Sequence, residues 1–361
     1  IMVVLDDTYT GDIVINKSLR CYAVKNGYVE TPNWNDPPET ILFGEVIIEG
    51  EQTVVDITAE NVYLEGFCVS DGNKGFSLDK YSILYNCSIM DSSIGIFVDN
   101  HSENSMINCS FLKCPTGLYL NSSDDNSMIN SSISGSDTAC YLNASWGNLF
   151  SGMSINSSDN GLMLCNHSNY TRVEESSFIT LNETGILIDG STMTLVSDCI
   201  ISHANTGISI GNVSKTMLDK EKSTSFYTTV LNRIENTNLS YNTIGVSLYN
   251  ASHTRIGDEE WRFKNRDGLV PSYESEAYVS EPISPFSPDS APSNSLFVSN
   301  DYPIKLYASD FNVIDSISVK CMFSDVLGLG ISSQVGINLI DSCNNTIHYC
   351  LMEHANQTGI L

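Results

Sequence analysis

Apolar and polar positions alternate in short bursts along this chain, and the bursts recur. From Tyr81 to Ser214 the segments SILYNCSIMDSSIGIFVDNHS, NSMINCSFLKCPTGLYLNSSD, NSMINSSISGSDTACYLNASW, NLFSGMSINSSDNGLMLCNHS, TRVEESSFITLNETGILIDGS and TLVSDCIISHANTGISIGNVS align with a period of 22 to 24 residues. One column holds Ile89, Phe111, Ile133, Ile155, Phe178 and Ile201; another holds Gly95, Gly117, Ala139, Gly161, Gly185 and Gly207. The frame is a short apolar strand, a small turn, a glycine and a second short strand. Such strands are too brief to bury an apolar face alone, so the units must stack. Each period then forms one coil of a β-solenoid, with each strand paired in parallel to its counterpart about 4.8 Å along the axis.

The alternation in G-I-F-V, G-L-Y-L and G-I-L-I sends the second and fourth positions inward and the third outward. The glycine column is expected at corners of positive φ. Asn104, Asn126 and Asn148 are expected to form an amide ladder at another corner, each satisfying turn groups that cannot reach water. A leucine-rich repeat is excluded, because the spacers are Ser, Asn, Asp and Gly rather than helix formers. An ordinary β-sandwich lacks columns at this longer period.

The fold class is therefore all-β, a solenoid of about 22-residue coils with one long inserted loop. Residues 1–80 form irregular first coils, 81–252 the regular coils, 253–310 a Pro- and Ser-rich insertion, and 311–361 the final coils. The insertion carries six of the ten prolines together with Trp261, Tyr273, Tyr278 and Phe286, and its aromatics suggest docking on the tube or on a neighbouring subunit. The opening on an apolar strand suggests that a targeting segment was removed. Neither tip shows a capping helix or polar coil, and uncovered parallel edges invite another copy of the chain. Head-to-tail or edge-wise homopolymerisation is the expected partnership.

Composition adds exclusions. There are 43 acidic against 17 basic residues, a net charge of -26. Nucleic acid is thereby excluded as a partner, and no membrane span is present. Asparagine sequons are dense, and glycosylation candidates are Asn86, Asn100, Asn108, Asn121, Asn130, Asn143, Asn156, Asn166, Asn182, Asn212, Asn250 and Asn356. Carrying N-linked glycans would place the protein outside the cell, at its surface or in a sheath. Eleven cysteines without a C-x-x-C pair argue against zinc. Cys21, Cys87, Cys109, Cys140, Cys199 and Cys350 read as inward; Cys68, Cys114 and Cys165 read as outward. Disulfide candidates are Cys87 with Cys109, on adjacent coils, and Cys68, Cys114, Cys165 and Cys343, with an odd total leaving one thiol free or joined to another chain.

The opening VLDDTYTGDIVINKSLRCYAVKNG, then DITAENVYLEGFCV and the NSMINCSF/TGLYL coils, resembles right-handed parallel β-helix proteins of the NosD-like, carbohydrate-associated group found on archaeal surfaces. The resemblance spans residues 1–252 and 311–361. Within that group, the acidic composition, sequons, surplus cysteines and uncapped ends look most like tubular sheath or surface-layer proteins of methanogens. That implies a structural, self-assembling, glycosylated envelope protein without catalytic residues, cofactor or metal, and so not an enzyme. The alternative is an extracellular polysaccharide-binding or polysaccharide-degrading β-helix, which an acidic groove with converging carboxylates would favour. Asp124 and Asp125 read as a solvated turn. His101 and His167 fall in turns, and none of the six histidines has metal-ligand spacing. Tyr119, Tyr141 and Met163 form an outward row suited to packing across the sheet or to stacking on sugars.

Overall fold

From the coil of Tyr63–Glu65 to that of Thr254–Ile256, each first corner turns on a residue with positive φ, and this is where the asparagines matter. Asn86, Asn108 and Asn130 sit there at φ of 51°, 54° and 49°. Asparagine tolerates this left-handed region better than branched residues do. In that conformation the corner N–H still reaches the next coil: Asn86 donates to the Ile107 carbonyl at 3.0 Å and Asn108 to that of Ile129 at 3.0 Å. The ladder of parallel bonds thus runs through the corners as well as the strands.

The computed structural model describes residues 2–5, 7–24, 46–213, 232–257, 296–298, 302–310, 312–315, 318–320, 335–348, 350–353 and 358–360. Their strands form three 13-stranded sheets, each ordered so that every strand pairs with its counterpart one coil away. All pairings are parallel: Leu84 lies beside Met106 and Met106 beside Met128 in the first sheet, Ile89 beside Phe111 in the second, and Ile96 beside Leu118 in the third. A coil therefore has three strands, where the sequence frame showed two. The overlooked strands, such as Ser105–Ile107 and Ser127–Ile129, have three residues and send one side chain inward. Ser110–Leu112 follows after a two-residue corner at Asn108, so in sequence the two strands run together as one.

Identical columns meet inside the tube and fill it. Leu84, Met106 and Met128 from the first sheet, Ile89 and Ile133 from the second, and Ile96, Leu118 and Leu120 from the third are all at most 1% exposed. Burying each such side chain contributes roughly 1.5–3 kcal/mol. The amide ladder is present at the corner before the first sheet. Asn126 Oδ1 accepts from both the backbone N–H and the side-chain Nδ2 of Asn104, each at 3.0 Å, and Asn148 Oδ1 accepts the Asn126 N–H at 2.9 Å. Thr171 follows Asn148 at this corner and bonds instead to the Ser168 carbonyl at 3.3 Å.

The expectation for the glycine column is corrected. Gly95, Gly117, Gly161, Gly185 and Gly207 lie within or at the start of third-sheet strands without positive φ. They are small because the coils touch: a Cβ on Gly95 would lie 2.5 Å from the Gly117 carbonyl oxygen and 2.7 Å from the Phe111 ring. The column requires close approach rather than a left-handed turn.

Two cysteine placements are also corrected. Cys114 is fully buried in the core, and Cys68 is buried although it stands in the outward column beside Ser88. Cys87, Cys109, Cys140 and Cys199 are buried as expected, and Cys21 is buried too, with burial pushing its thiol up to about 11. Within the expected 253–310 insertion, Thr254–Ile256, Leu296–Val298 and Tyr302–Tyr307 pair as ordinary coil strands, whereas Trp261, Tyr273, Tyr278 and Phe286, together with Asn356 and Cys321, lie outside the described residues.

Candidate functional site on the outer face of the third sheet

The third sheet presents its outward columns in straight lines along the tube, because every pairing is in register. One column runs Asp56, Ser77, Phe97, Tyr119, Tyr141, Met163 and Leu187. The next runs Asp99, Asn121, Asn143, Cys165 and Asp189. Phe97 stacks on Tyr119 with ring centroids 5.5 Å apart, and Tyr119 on Tyr141 at 5.3 Å. The Lys74 ammonium lies 3.7 Å from the centre of the Phe97 ring, so the row begins with a cation held against an aromatic face.

At that end of the row the wall opens into a cleft of about 310 Å³. Asp56, Asp79, Asp99 and His101 line it, with Thr58, Ser77 and Phe97. These groups come from three successive coils. His101 Nδ1 lies 3.0 Å from Asp79 Oδ1, within reach of a hydrogen bond when Nδ1 carries the ring hydrogen. The His101 backbone is pinned by its N–H to Ser123 Oγ at 3.3 Å. Asp99 Oδ1 accepts from Asn121 Nδ2 at 2.7 Å and from Asn100 Nδ2 at 3.0 Å. The cleft thus sets a carboxylate–imidazole pair, able to exchange a proton, beside a second carboxylate fixed by two amide donors.

The sequons of this face are committed to structure. Asn143 Nδ2 donates to Asn121 Oδ1 and Asn166 Nδ2 to Asn143 Oδ1, both at 2.7 Å, extending an outer amide ladder from Asp99. Asn100 bonds to Asp99, Asn182 to Asp159 and Asn212 to Asp189. Asn156 is half-buried and its Oδ1 accepts from Ser134 Oγ at 2.9 Å. Asn86, Asn108, Asn130 and Asn250 are exposed. Beside the ladder, burial and the neighbouring Asp189 push the Cys165 thiol up, with Tyr141 partly offsetting them. Cys343 is exposed, and its hydrogen bond with Asp310 pushes its thiol up as well.

The sequence did not single out Asp56, Asp79 or Asp99, and His101 read as a turn residue. It sought partners close along the chain, whereas in a coiled tube neighbours lie one period apart, and His101 follows Asp79 by 22 positions. Scanning for charged residues at the period would have found that pair. Asp124 behaves as a turn residue, its Oδ1 accepting the Trp146 N–H at 2.9 Å. Among the described residues no three His, Cys, Asp or Glu side chains converge to hold a metal ion, and no helix is long and apolar enough to cross a membrane.

A family model described as a right handed beta helix region matches residues 74–222. No curated protein matches the chain in sequence. Among solved structures, the chain is similar to the A-module of mannuronan C-5 epimerase AlgE6 from Azotobacter vinelandii, at 8% identity and a TM-score of 0.53, covering 97% of this chain and 90% of that one. It is also similar to the catalytic unit of the thermostable GH87 alpha-1,3-glucanase from Streptomyces thermodiastaticus, at 10% identity and a TM-score of 0.61. That alignment covers 99% of this chain but 63% of the glucanase unit. At these identities the likeness is one of fold. The expectation that the chain is not an enzyme is corrected on this ground: the same tube carries an epimerase and a glucanase, and a plain coil architecture gave no warrant for excluding catalysis. With three all-parallel sheets stacked coil on coil, this chain is a right-handed parallel β-helix.

Proposed function

We propose that the protein binds a polysaccharide along the outer face of its third sheet and acts on it in the cleft. One observation carries this reading: three carboxylates and an imidazole line one cleft beside a row of stacked aromatic rings. Sugar rings pack their apolar C–H faces against aromatic faces, while their hydroxyls bond to amides and carboxylates of the kind that flank this row. His101 and Asp79 would move the proton, and Asp99, held by its amide donors, would orient a hydroxyl or water. An envelope building block has no need of such a cleft, which turns the reading away from the self-assembling role expected from sequence. A polymer of this kind lies outside the cell, in keeping with the expected export.

The test is incubation of the purified chain with a panel of neutral glucans, polyuronates and amino-sugar polymers, following retention on the polymer and the release of new chain ends. At least one polymer should be both retained and altered. Asp79→Asn and His101→Ala should remove the alteration while keeping retention, and Tyr119→Ala should weaken retention. Failure to retain any polymer would overturn the reading.

A further inference from the structure

A second aromatic platform stands on the same face, well away from the cleft. Tyr249 and Tyr307 stack almost parallel, with centroids 5.5 Å apart and planes inclined by 7°. Both are exposed, at 52% and 41%. With Ile244, Ser247 and Lys305 they line a hollow of about 290 Å³. Two large rings left open to water and stacked on each other cost solvation unless something covers them.

Their position puts them in line with the cleft. Tyr249 belongs to the column that begins at Asp99, and the pairings run Asp99, Asn121, Asn143, Cys165, Asp189, Gly211, Tyr249. Six coil steps separate the two ends, about 29 Å at about 4.8 Å per step. Between them one column carries Met163, Leu187 and Ser209 and the other Cys165, Asp189 and Gly211. A linear chain of pyranose rings advances by about one coil per ring, so its units fall into step with the columns.

We infer that Tyr249 and Tyr307 form a distal subsite for the same polysaccharide, and that one chain held in the cleft runs along the tube axis to reach them. This rests on the proposed function above and extends it to the substrate's form: an unbranched glycan at least about seven rings long, one ring per coil over the six steps from Asp99 to Tyr249. A shorter oligosaccharide held in the cleft does not reach the tyrosine pair. A longer one engages both, and the second contact is then intramolecular, which multiplies affinity without any change at the first.

The experiment is a titration of linear oligosaccharides from disaccharide to decasaccharide, in neutral gluco-, uronate and amino-sugar series, read by tyrosine fluorescence. Affinity in the series that binds should climb by at least about tenfold as the chain reaches about seven rings and then level off. The double variant Tyr249→Ala with Tyr307→Ala should lose that climb and keep the trisaccharide affinity. The double Tyr→Phe variant, which keeps the rings, should retain the climb, and circular dichroism checks that both variants are folded. Binding of short chains with no dependence on length, or equal losses at every length in the alanine variant, overturns the inference while leaving the proposed function standing. No binding by the wild type at any length removes both.

Discussion

Replacing Asn126 by alanine isolates the ladder that fastens coil to coil. Asn126 is 2% exposed and Asn104 1%. The substitution takes the acceptor from two donors of Asn104, its backbone N–H and its Nδ2, each now bonded at 3.0 Å. It also frees the Asp124 carbonyl, which accepts Asn126 Nδ2 at 3.1 Å but sits at a turn where water can replace it. Each buried donor left without a partner costs about 1–3 kcal/mol, so two cost about 2–6 kcal/mol. Asn121→Ala is the matched control: its amide also bonds to a neighbouring coil, at 2.7 Å, but is half-buried, so water substitutes and the loss stays under about 1 kcal/mol. A stacked array need not unfold as one unit, so urea denaturation is paired with amide hydrogen exchange read at Asn104 and Ser82. Ser82 donates its N–H to Asn104 Oδ1 at 2.8 Å and should open together with Asn104. Equal losses in the two variants, or unchanged protection at Asn104, would refute the claim that the inner ladder holds the coils.

Gly161→Val tests the close-approach account of the glycine column. The new Cβ would lie 2.3 Å from the Gly185 carbonyl oxygen and 2.7 Å from the Phe178 ring, and neither backbone nor buried ring can yield. A loss of at least about 3 kcal/mol in chemical denaturation is expected, whereas a tolerated valine would contradict the account. Glu65 predicts a pH effect. Burial pushes its carboxyl above the ordinary 4.5, while the Tyr63 hydroxyl, donating to it at 2.6 Å, partly offsets this. The folded chain therefore keeps a proton that the unfolded chain has released, so this contribution to stability is whole below about 4.5 and declines as pH rises through the raised value. Glu65→Gln should flatten that decline in melting temperatures measured across the window, and an unchanged slope would count against it.

Much of the tube was legible because a solenoid writes its contacts at a fixed interval. Ile89 above Phe111 and Asn104 above Asn126 follow directly from register. What escaped notice has physical causes. Strands such as Ser105–Ile107 run into the next strand, Ser110–Leu112, across a two-residue corner that the sequence does not mark with glycine or proline. Gly95 serves packing, yet a glycine's letter is the same whether it supplies space or a left-handed turn. Cys68 stands in an outward column but is buried, and column position alone does not report what lies over the face. The cleft was hidden because Asp56 lies in the irregular first coils, where the period had not been extended. Asp79 and His101 look unrelated unless compared one coil apart.

Oxidative footprinting of side chains, with and without a saturating polysaccharide from the binding panel, tests the central claim most directly. If a glycan lies on the third sheet, Phe97, Tyr119, Tyr141 and Met163 lose reactivity when it binds, while Trp146 and Tyr170, exposed outside the strands of that face, do not change. Protection of Trp146 and Tyr170 with the aromatic row unchanged would place the ligand elsewhere and contradict the account.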